Sequence, residues 1–351
     1  MLNLKFFKNK KIFITGHTGF KGSWLSYILY LSGAKVTGYS LRPNTKQDNF
    51  YLLQLDKKIK NYYHDVRDEE NLKKKIQLSK PDIIFHLAAQ PLVRESYKNP
   101  KFTFSTNVIG TLNILEIIRK TKSIKSAVII TSDKCYKNYE KKEGYSEISE
   151  LGGEDPYSAS KAAAENIFYS YQKSFFKYRN NVGLVSVRAG NVIGGGDWSQ
   201  DRIVPDLIKS IILKKKFTIR SPKSTRPWQH VFDLLNGYLI LSKKIYRNDK
   251  SNGSWNFGPN KSHVTVKEVI SKLIKIMGIR KKYFINIDKK IKETGLLSLK
   301  TNKSKKYLKW KPKLSFIETL KITAAWYLCY IKDRKNIQKL SKIQVEDFFN
   351  D

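Results

Sequence analysis

A chain of 351 residues is long for one domain and implies a large domain with a smaller companion, and its 40% hydrophobic content is ample for their cores. No apolar stretch reaches the length of a membrane span, and MLNLKFFKNKK is too short to hold a signal peptide ahead of the first strand, so a cytoplasmic protein without membrane association is expected. The formal charge of +37 invites a nucleic-acid reading, but Lys outnumbers Arg and is spread along the whole chain, which fits solvated faces rather than a specific nucleic-acid surface. A field of that sign still favours an anionic small substrate.

In chain order, Lys10 to Thr15 reads as a short strand with Ile12, Phe13 and Ile14 buried. GHTGFKG follows, then WLSYILYLSG, a helix ending at Gly33. Lys35 to Ser40 is the second strand, and 41–60 is polar and irregular. Asn61 to His64 fits a third strand, followed by Asp65 and by Asp68 as the cap of a helix with Leu72 and Ile76 on one face. Pro81 to Ala89 is continuously apolar, as at the centre of a parallel sheet. A long helix is expected over Phe102 to Arg119, a buried strand over Ala127 to Ser132, a helix over Tyr157 to Phe176 and a strand over Asn181 to Arg188.

This alternation predicts an α/β fold, a Rossmann-like doubly wound parallel sheet with a smaller, discontinuous C-terminal substrate domain. Residues 8–190, with about 228–246 packing back, form the first unit; about 191–227 and 247–330 form the second; 331–351 is a charged helical tail without obvious chemistry. Beyond Arg188 the pattern weakens. Asn191 to Trp198 is glycine-rich, Val204 to Leu213 helical, Arg226 to Val231 short and strand-like, and Ser254 to Pro259 reads as a turn.

Gly16, Gly19 and Gly22 lie between a strand and a helix, which is a place to hold a dinucleotide. Gly16 permits the tight turn, Gly19 lets backbone N–H groups approach a pyrophosphate, and Gly22 lets the helix pack closely. The helix N-terminus adds partial positive charge. Phe20 in the loop and Val66 beside Asp65 are counted with the cofactor residues. The second strand ends in Ser40 rather than an acid, and Arg42 is placed to favour a 2′-phosphate, so this strand leaves NAD and NADP both open. Asp65 reads equally as a ligand of the adenine amine and as a helix-capping acid. Leu87, Ala88 and Ala89 are small enough for a ring to lie across the strand ends. His17 sits inside the turn and either crowds the cofactor or points away.

Ser132, Asp133 and Lys134 end an apolar strand, at the edge where α/β sheets bind ligands. Tyr157 and Lys161 stand one helical turn apart, where a cation lowers a phenol pKa so that phenolate acts as a base. Cys135 reads as a packing residue, since neither cysteine has a metal or redox spacing. His64, His86, His230 and His263 are isolated and read as structural; no metal site is expected.

GHTGFKG, the Ser132 hydroxyl and YSASK (Tyr157 to Lys161) resemble the extended short-chain dehydrogenase/reductase family, the NAD-dependent epimerases and dehydratases. TSDKCYKN, LGGEDPYSASK, RAGNVIGGGDW, RIVPD and RPWQHV narrow the resemblance to nucleotide-sugar 4,6-dehydratases that act on CDP-glucose, over roughly residues 8 to 330. The resemblance implies NAD as cofactor, a homodimer joined through sheet-flanking helices, and a setting in bacterial surface deoxysugars such as the lipopolysaccharide O-antigen. It implies that Tyr157 takes the sugar 4-hydroxyl proton during oxidation at C4. Lys161 lowers the phenol pKa and binds the nicotinamide ribose. Ser132 orients the 4-oxygen, and Asp133 protonates the departing 6-oxygen.

Dehydratases acting on dTDP-glucose carry Glu as the C5 base where this chain has Lys134. An amine is a base only when neutral, and burial beside Lys161 would depress its pKa. The bland reading is that Lys134 binds phosphate or solvent. Gln90, Asn191, Arg202 and Arg226 are candidate substrate residues. The two arginines suit bidentate diphosphate contacts but read as readily as surface ion pairs. Two other functions stay in view: a 4-epimerase or a dehydratase on another nucleotide sugar, and a non-catalytic NAD-binding sensor or polyanion-binding protein on the same scaffold.

Overall fold

The computed structural model describes residues 4–43, 45–176, 182–247, 251–259, 264–286 and 295–350. Asn181 and His263 lie outside the described residues. Apolar runs of the expected kind make β1 (Lys11–Thr15), β2 (Lys35–Ser40), β3 (Lys60–Tyr63), β4 (Ile83–His86), β5 (Ser126–Ile130) and β6 (Gly183–Ala189). Between them run α1 (Phe20–Leu31), α2 (Asn49–Leu52), α3 (Leu55–Lys58), α4 (Glu69–Ser79), α5 (Val93–Lys98), α6 (Pro100–Phe104), α7 (Gly110–Lys120) and α8 (Pro156–Tyr171). The short helices α2 and α3 occupy the stretch expected to be irregular. Strand β4 is shorter than its apolar run, because the chain leaves the sheet at Leu87. The helix expected from Phe102 begins at Pro100, and a π-helical turn at Ser105–Ile109 joins α6 to α7.

The second half supplies β7 (Val192–Ile193), α9 (Ile203–Ile212), β8 (Phe217–Ile219), β9 (Thr225–Arg226), β10 (Gln229–His230) and α10 (Val231–Tyr246). Then come β11 (Gly253–Phe257), β12 (Val264–Thr265), α11 (Val266–Ile276), β13 (Tyr283–Ile285), α12 (Asn302–Leu308), α13 (Phe316–Lys332) and α14 (Ile337–Asn350). The main sheet has the order β11-β6-β5-β4-β1-β2-β3, with every pairing parallel. The order reverses beside β1, so ligands are expected at the carboxyl ends of β1 and β4.

Alternate side chains of each central strand enter opposite cores. Ile12, Ile14, Phe85, Val128 and Val185 face α1 and α10 on one side of the sheet. Phe13, Ile84, Ala127, Ile129 and Leu184 meet α4, α7 and α8 on the other. Beyond the strand ends lie three two-stranded pairs, β7 with β10, β9 with β12 and β8 with β13. They frame one side of the cavity described below.

Two expectations need correction. Ser254 to Pro259 is not a turn: Gly253–Phe257 is the edge strand β11, in register with β6 from Gly253 opposite Val185 to Phe257 opposite Ala189. Trp255 and Phe257 are buried in the larger core. The tail is likewise more than a charged helix. Ile337, Val345, Phe348 and Phe349 of α14 are buried in that core, and the Trp326 indole donates to Ser341 Oγ at 2.9 Å.

Candidate active site

Strand β1 ends at Thr15 and the backbone turns at Gly16, whose φ is +72°. A Cβ there would lie 2.6 Å from the Ala88 nitrogen, so only glycine lets the turn rest against the end of β4. Gly22 stands in the first turn of α1, where a Cβ would meet the Gly16 carbonyl oxygen at 2.1 Å. At Gly19 the nearest atom to such a Cβ is the Gly16 oxygen at 3.5 Å, an ordinary contact. The turn is therefore closed below, where it packs, and has room above for a diphosphate at the N-terminus of α1. This cradle fits a dinucleotide.

From the cradle a cavity of about 860 Å³ runs along the carboxyl edge of the sheet. It passes Ser40 to Pro43, then Leu87 to Gln90, then Ser132 to Lys134 with Tyr157 and Lys161. It continues to Asn191, Arg202, Asp206, Arg220 and Arg226. The catalytic candidates of the sequence thus line the same cavity as the glycine turn.

Their placement follows from local structure. Thr131 Oγ1 donates to Glu165 of α8 at 2.5 Å, which pins the end of β5 to that helix. Ser132 Oγ accepts from the Lys134 N–H at 3.2 Å and donates to Asp133 Oδ1 at 3.0 Å. Asp155 caps α8 by accepting from the Ser158 N–H at 2.9 Å, so Tyr157 falls in the first turn and Lys161 one turn on. Asn107, in the π-helical turn, donates to Ser160 Oγ at 2.8 Å, and Ser160 Oγ donates to the Tyr157 carbonyl at 2.7 Å. Beneath lies a buried ion pair, Arg188 to Glu165 at 2.6 Å.

Burial dominates the electrostatics. It pushes the Asp133 carboxyl above the usual range, against the pull of Lys134, the Ser132 hydroxyl and Arg226. It pushes the Tyr157 phenol up to about 12, with the Ser132 hydroxyl and Arg202 opposing and Asp133 reinforcing. Burial, then the charge of Lys21, brings Lys161 down to about 7. Lys21 itself falls to about 8, through burial and Arg202, with Asp133 and Asp197 opposing. The cavity thus holds a carboxyl and a phenol inclined to keep their protons, and two amines that give theirs up easily. Such a set suits proton transfer at adjacent carbons.

The profile of the GDP-mannose 4,6-dehydratase family matches residues 13–323. The chain belongs to this family. It is 41% identical to the CDP-glucose 4,6-dehydratase of Salmonella typhimurium over 356 aligned positions, covering 100% of this chain and 99% of that protein. Among solved structures, a UDP-glucose 4-epimerase of Thermotoga maritima with UDP-glucose superposes with a TM-score of 0.80 at 23% identity, over 92% of this chain and 99% of that one. A dTDP-glucose 4,6-dehydratase of Bacillus anthracis, in complex with NAD, gives 0.75 at 24%, over 94% and 99%. These two likenesses establish the fold.

Against this dehydratase-family frame, several side chains stand differently from expectation. His17 points away from the cavity. Its ring is buried under Gly38, where a Cβ would meet it at 2.2 Å, and Nε2 pairs with Asn61 Oδ1 at 2.9 Å. Burial brings its pKa down to about 4, so it is a neutral core group. Gln90 lines the cavity, but its amide is engaged by the protein: Nε2 donates to the Leu92 carbonyl and Thr103 Oγ1, and Oε1 accepts from the Leu92 N–H. It shapes the loop after β4. Asp65 lines the cavity while held by Arg67 through two side-chain bonds, at 3.0 and 2.7 Å. The helix cap is Asp68 instead, accepting from the Asn71 N–H.

Phe20 and Val66 line the cofactor end, and Arg42 stacks on Tyr63 with 4.5 Å between guanidinium carbon and ring centre. Arg202 pairs with Asp197 at 3.1 Å, and Arg226 Nη1 donates to the Thr225 carbonyl at 2.9 Å; both line the cavity, as does Asn191. His86 is held by Thr15 at 2.8 Å, His230 caps α10, and His64 stacks on Tyr39. Cys135 is buried, and burial pushes its thiol far up, as for a packing residue. Among the described residues no group of three or more His, Cys, Asp or Glu side chains gathers as for a metal.

The cation acting on Lys161 is Lys21. Lys21, Asn107, Asp206 and Arg220 belong to the site or its support and escaped the sequence reading. The one available signal was the position of Lys21, the sixth residue of GHTGFKG and hence in the first turn of a helix that opens on the cradle.

Proposed function

We propose that the protein is an NAD-dependent CDP-glucose 4,6-dehydratase, a hydro-lyase converting CDP-D-glucose to CDP-4-dehydro-6-deoxy-D-glucose and water. The observation that carries this reading is one cavity joining the glycine cradle to Ser132, Asp133 and Lys134, with Tyr157 and Lys161 in the same wall. The full-length likeness to the Salmonella enzyme supports CDP-glucose as substrate. The NAD bound by the Bacillus dehydratase supports NAD as cofactor.

The cofactor would lie along Gly16, Gly19, Phe20, Arg42, Asp65, Val66 and Leu87 to Ala89; bound NAD supplies reversible hydride chemistry, so that the net change is loss of water. Tyr157 takes the 4-hydroxyl proton. Burial alone makes its phenol a poor acid, so the charges of Lys161 and Arg202 are needed to hold the phenolate. Ser132 keeps the 4-oxygen in place. The 4-ketone acidifies the C5 proton, which Lys134 removes, while Asp133 gives its proton to the departing 6-oxygen. Lys21 is a second candidate for the C5 base, because burial has already lowered its pKa toward neutrality. Asn191, Arg202 and Arg226 hold the nucleotide sugar, the arginines facing its diphosphate.

The same reading keeps residues 8–190 with about 228–246 as the cofactor unit, and about 191–227 and 247–330 as the substrate unit. It places the protein in the cytoplasm, in deoxysugar synthesis for surface polysaccharide, as a homodimer. No helix among the described residues is long and apolar enough to cross a membrane. The dimer would form through the helices at 93–120 and 156–176, which expose Phe104, Ile109, Tyr169 and Phe175.

Incubation with NAD and, separately, CDP-, dTDP-, GDP- and UDP-glucose, with the sugar products weighed by mass spectrometry, tests the proposal. Loss of one water from CDP-glucose alone is expected. Loss from another nucleotide sugar instead would keep the chemistry and change the substrate. No mass change with any, despite bound NAD, would sink the dehydratase reading in favour of an epimerase or a non-catalytic binder. A 4-epimerase needs no acid for a leaving 6-oxygen, and a sensor needs no Ser132–Tyr157–Lys161 set.

A further inference from the structure

At the far end of the cavity, three carboxylates stand on the segment 197–206. Asp197 accepts from the Ser199 N–H at 3.0 Å and pairs with Arg202 at 3.1 Å. Asp201 pairs with Arg220 at 2.7 Å and stands 3.8 Å from Arg94. Asp206 is different. It is half-buried in the first turn of α9 and lines the cavity, yet its carboxylate makes no direct hydrogen bond or ion pair with any described residue. Lys209 and Arg220 act on it only through their fields. A half-buried carboxylate is costly unless something donates to it. In a protein with 67 Lys and Arg, a ligand-facing wall that keeps one uncommitted acceptor is built to receive a donor.

The chemistry of the ligand says which donor. The cofactor end is the glycine cradle, and the reacting sugar must lie at Ser132 and Tyr157, between the ends. The nucleotide half of the substrate therefore extends toward α9 and β8, where Asp206, Thr218, Arg220 and Ser221 line the wall. Pyrimidine edges differ there in sign. Cytosine presents two acceptors, O2 and N3, and one donor, the 4-amino group. Uracil and thymine present an acceptor, O4, at that same position. A carboxylate attracts the amine and repels O4, while Arg220 and Thr218 are donors for the acceptor side of the ring.

We propose that Asp206 is the residue that selects cytosine, by accepting a hydrogen bond from the 4-amino group of the substrate's base. The inference rests on the CDP-glucose reading and deepens it. It also explains how a strongly basic cavity, which would draw any nucleotide diphosphate, discriminates among them: the basic groups set affinity, and one acceptor sets identity.

The test is calorimetric titration of the NAD-loaded protein with CDP, UDP and dTDP, comparing wild type with Asp206→Asn and Asp206→Ser. Wild type is expected to prefer CDP by about ten- to a hundredfold, the range of a hydrogen bond to a charged group. Asp206→Asn, whose amide donates to O4, should lower CDP affinity and raise UDP affinity so that the preference collapses or inverts. Asp206→Ser, which removes the charge that repels O4, should lower CDP affinity and raise UDP affinity less than Asp206→Asn does. Equal weakening of all three nucleotides in both variants would mean a structural role and overturn the proposal. So would an unchanged preference for CDP. A wild type that favours CDP and dehydrates CDP-glucose while Asp206→Asn keeps that preference would sink this inference alone. A wild type with no CDP preference and no turnover of CDP-glucose would sink the function with it.

Discussion

Gly190 decides how far the Asp133 carboxyl can reach. A Cβ at Gly190 would stand 2.8 Å from Asp133 Oδ2 and 2.3 Å from Pro227 Cγ. Gly190→Ala must therefore move the acid or the loop carrying Pro227, at a cost of about 1–3 kcal/mol. Turnover of CDP-glucose should fall roughly a hundredfold, the low end of what a general acid contributes, while NAD affinity stays unchanged. Unchanged turnover would show that the Pro227 loop gives way instead and that Gly190 does not set the reach of Asp133. The C5 base has its own readout. Lys134→Ala should abolish solvent deuterium entry at C5 and Lys21→Ala should spare it; the reverse pattern transfers the role to Lys21. The glycine turn was legible because its demands are local: a positive φ and contacts within a few residues of chain. Tyr157 and Lys161 were legible by helical spacing. Lys21 was hidden because a lysine in a helical first turn looks solvated until the fold closes over it. The direction of His17 and the engagement of Gln90 were hidden too, since Asn61 and Thr103 reach them only through the fold.

The elements are tied together beneath the site by Glu165 of α8 and Arg188 of β6. Burial alone would push the Glu165 carboxyl up; the charge of Arg188 and hydrogen bonds from Arg188, Thr131 and Ser186 outweigh it and hold it below the ordinary range. A depressed carboxylate contributes stability above its unfolded pKa of about 4.3, and that stability is lost as pH falls through the lower folded value. Glu165→Gln should cost about 3–5 kcal/mol at neutral pH, because Arg188 stays buried without its partner. It should also remove part of the acid-induced loss of stability below about pH 4.3. Chemical unfolding at pH 7 and pH 3.5 checks both. Helix α14 offers a second test. Ile337, Val345, Phe348 and Phe349 each contribute about 1.5–3 kcal/mol by burial, so deleting 337–351 removes roughly 6–12 kcal/mol, comparable with the whole stability of a typical domain. The deletion should not fold, and Phe349→Ala alone should cost about 3–5 kcal/mol. A soluble deletion with an unchanged melting temperature would contradict this packing. Its buried apolar residues alternate with polar and charged ones, which is why the sequence reads as a tail. Strand β11 was missed for a related reason. Asn256 looks like a turn residue, but it is buried because Tyr136 donates to its Oδ1 at 2.7 Å and its Nδ2 donates to the Tyr145 carbonyl at 2.9 Å, partners more than a hundred residues away. The central strands needed no such partners to be read, being continuously apolar.

For the molecule as a whole, the sheet brings cofactor cradle, proton-transfer groups and nucleotide end into one cavity, in that order. That order makes a claim about the reaction: the hydride leaves C4 and returns to C6 of the same sugar without leaving the site. The net loss of water then requires no added reductant. CDP-glucose carrying deuterium at C4 tests it most directly, with the product read by mass spectrometry and NMR. The account predicts that the product keeps the deuterium and carries it on C6, with solvent hydrogen at C5 and no crossover between labelled and unlabelled sugars. Deuterium lost to solvent, or left at C4 of an epimerised but undehydrated sugar, would contradict it.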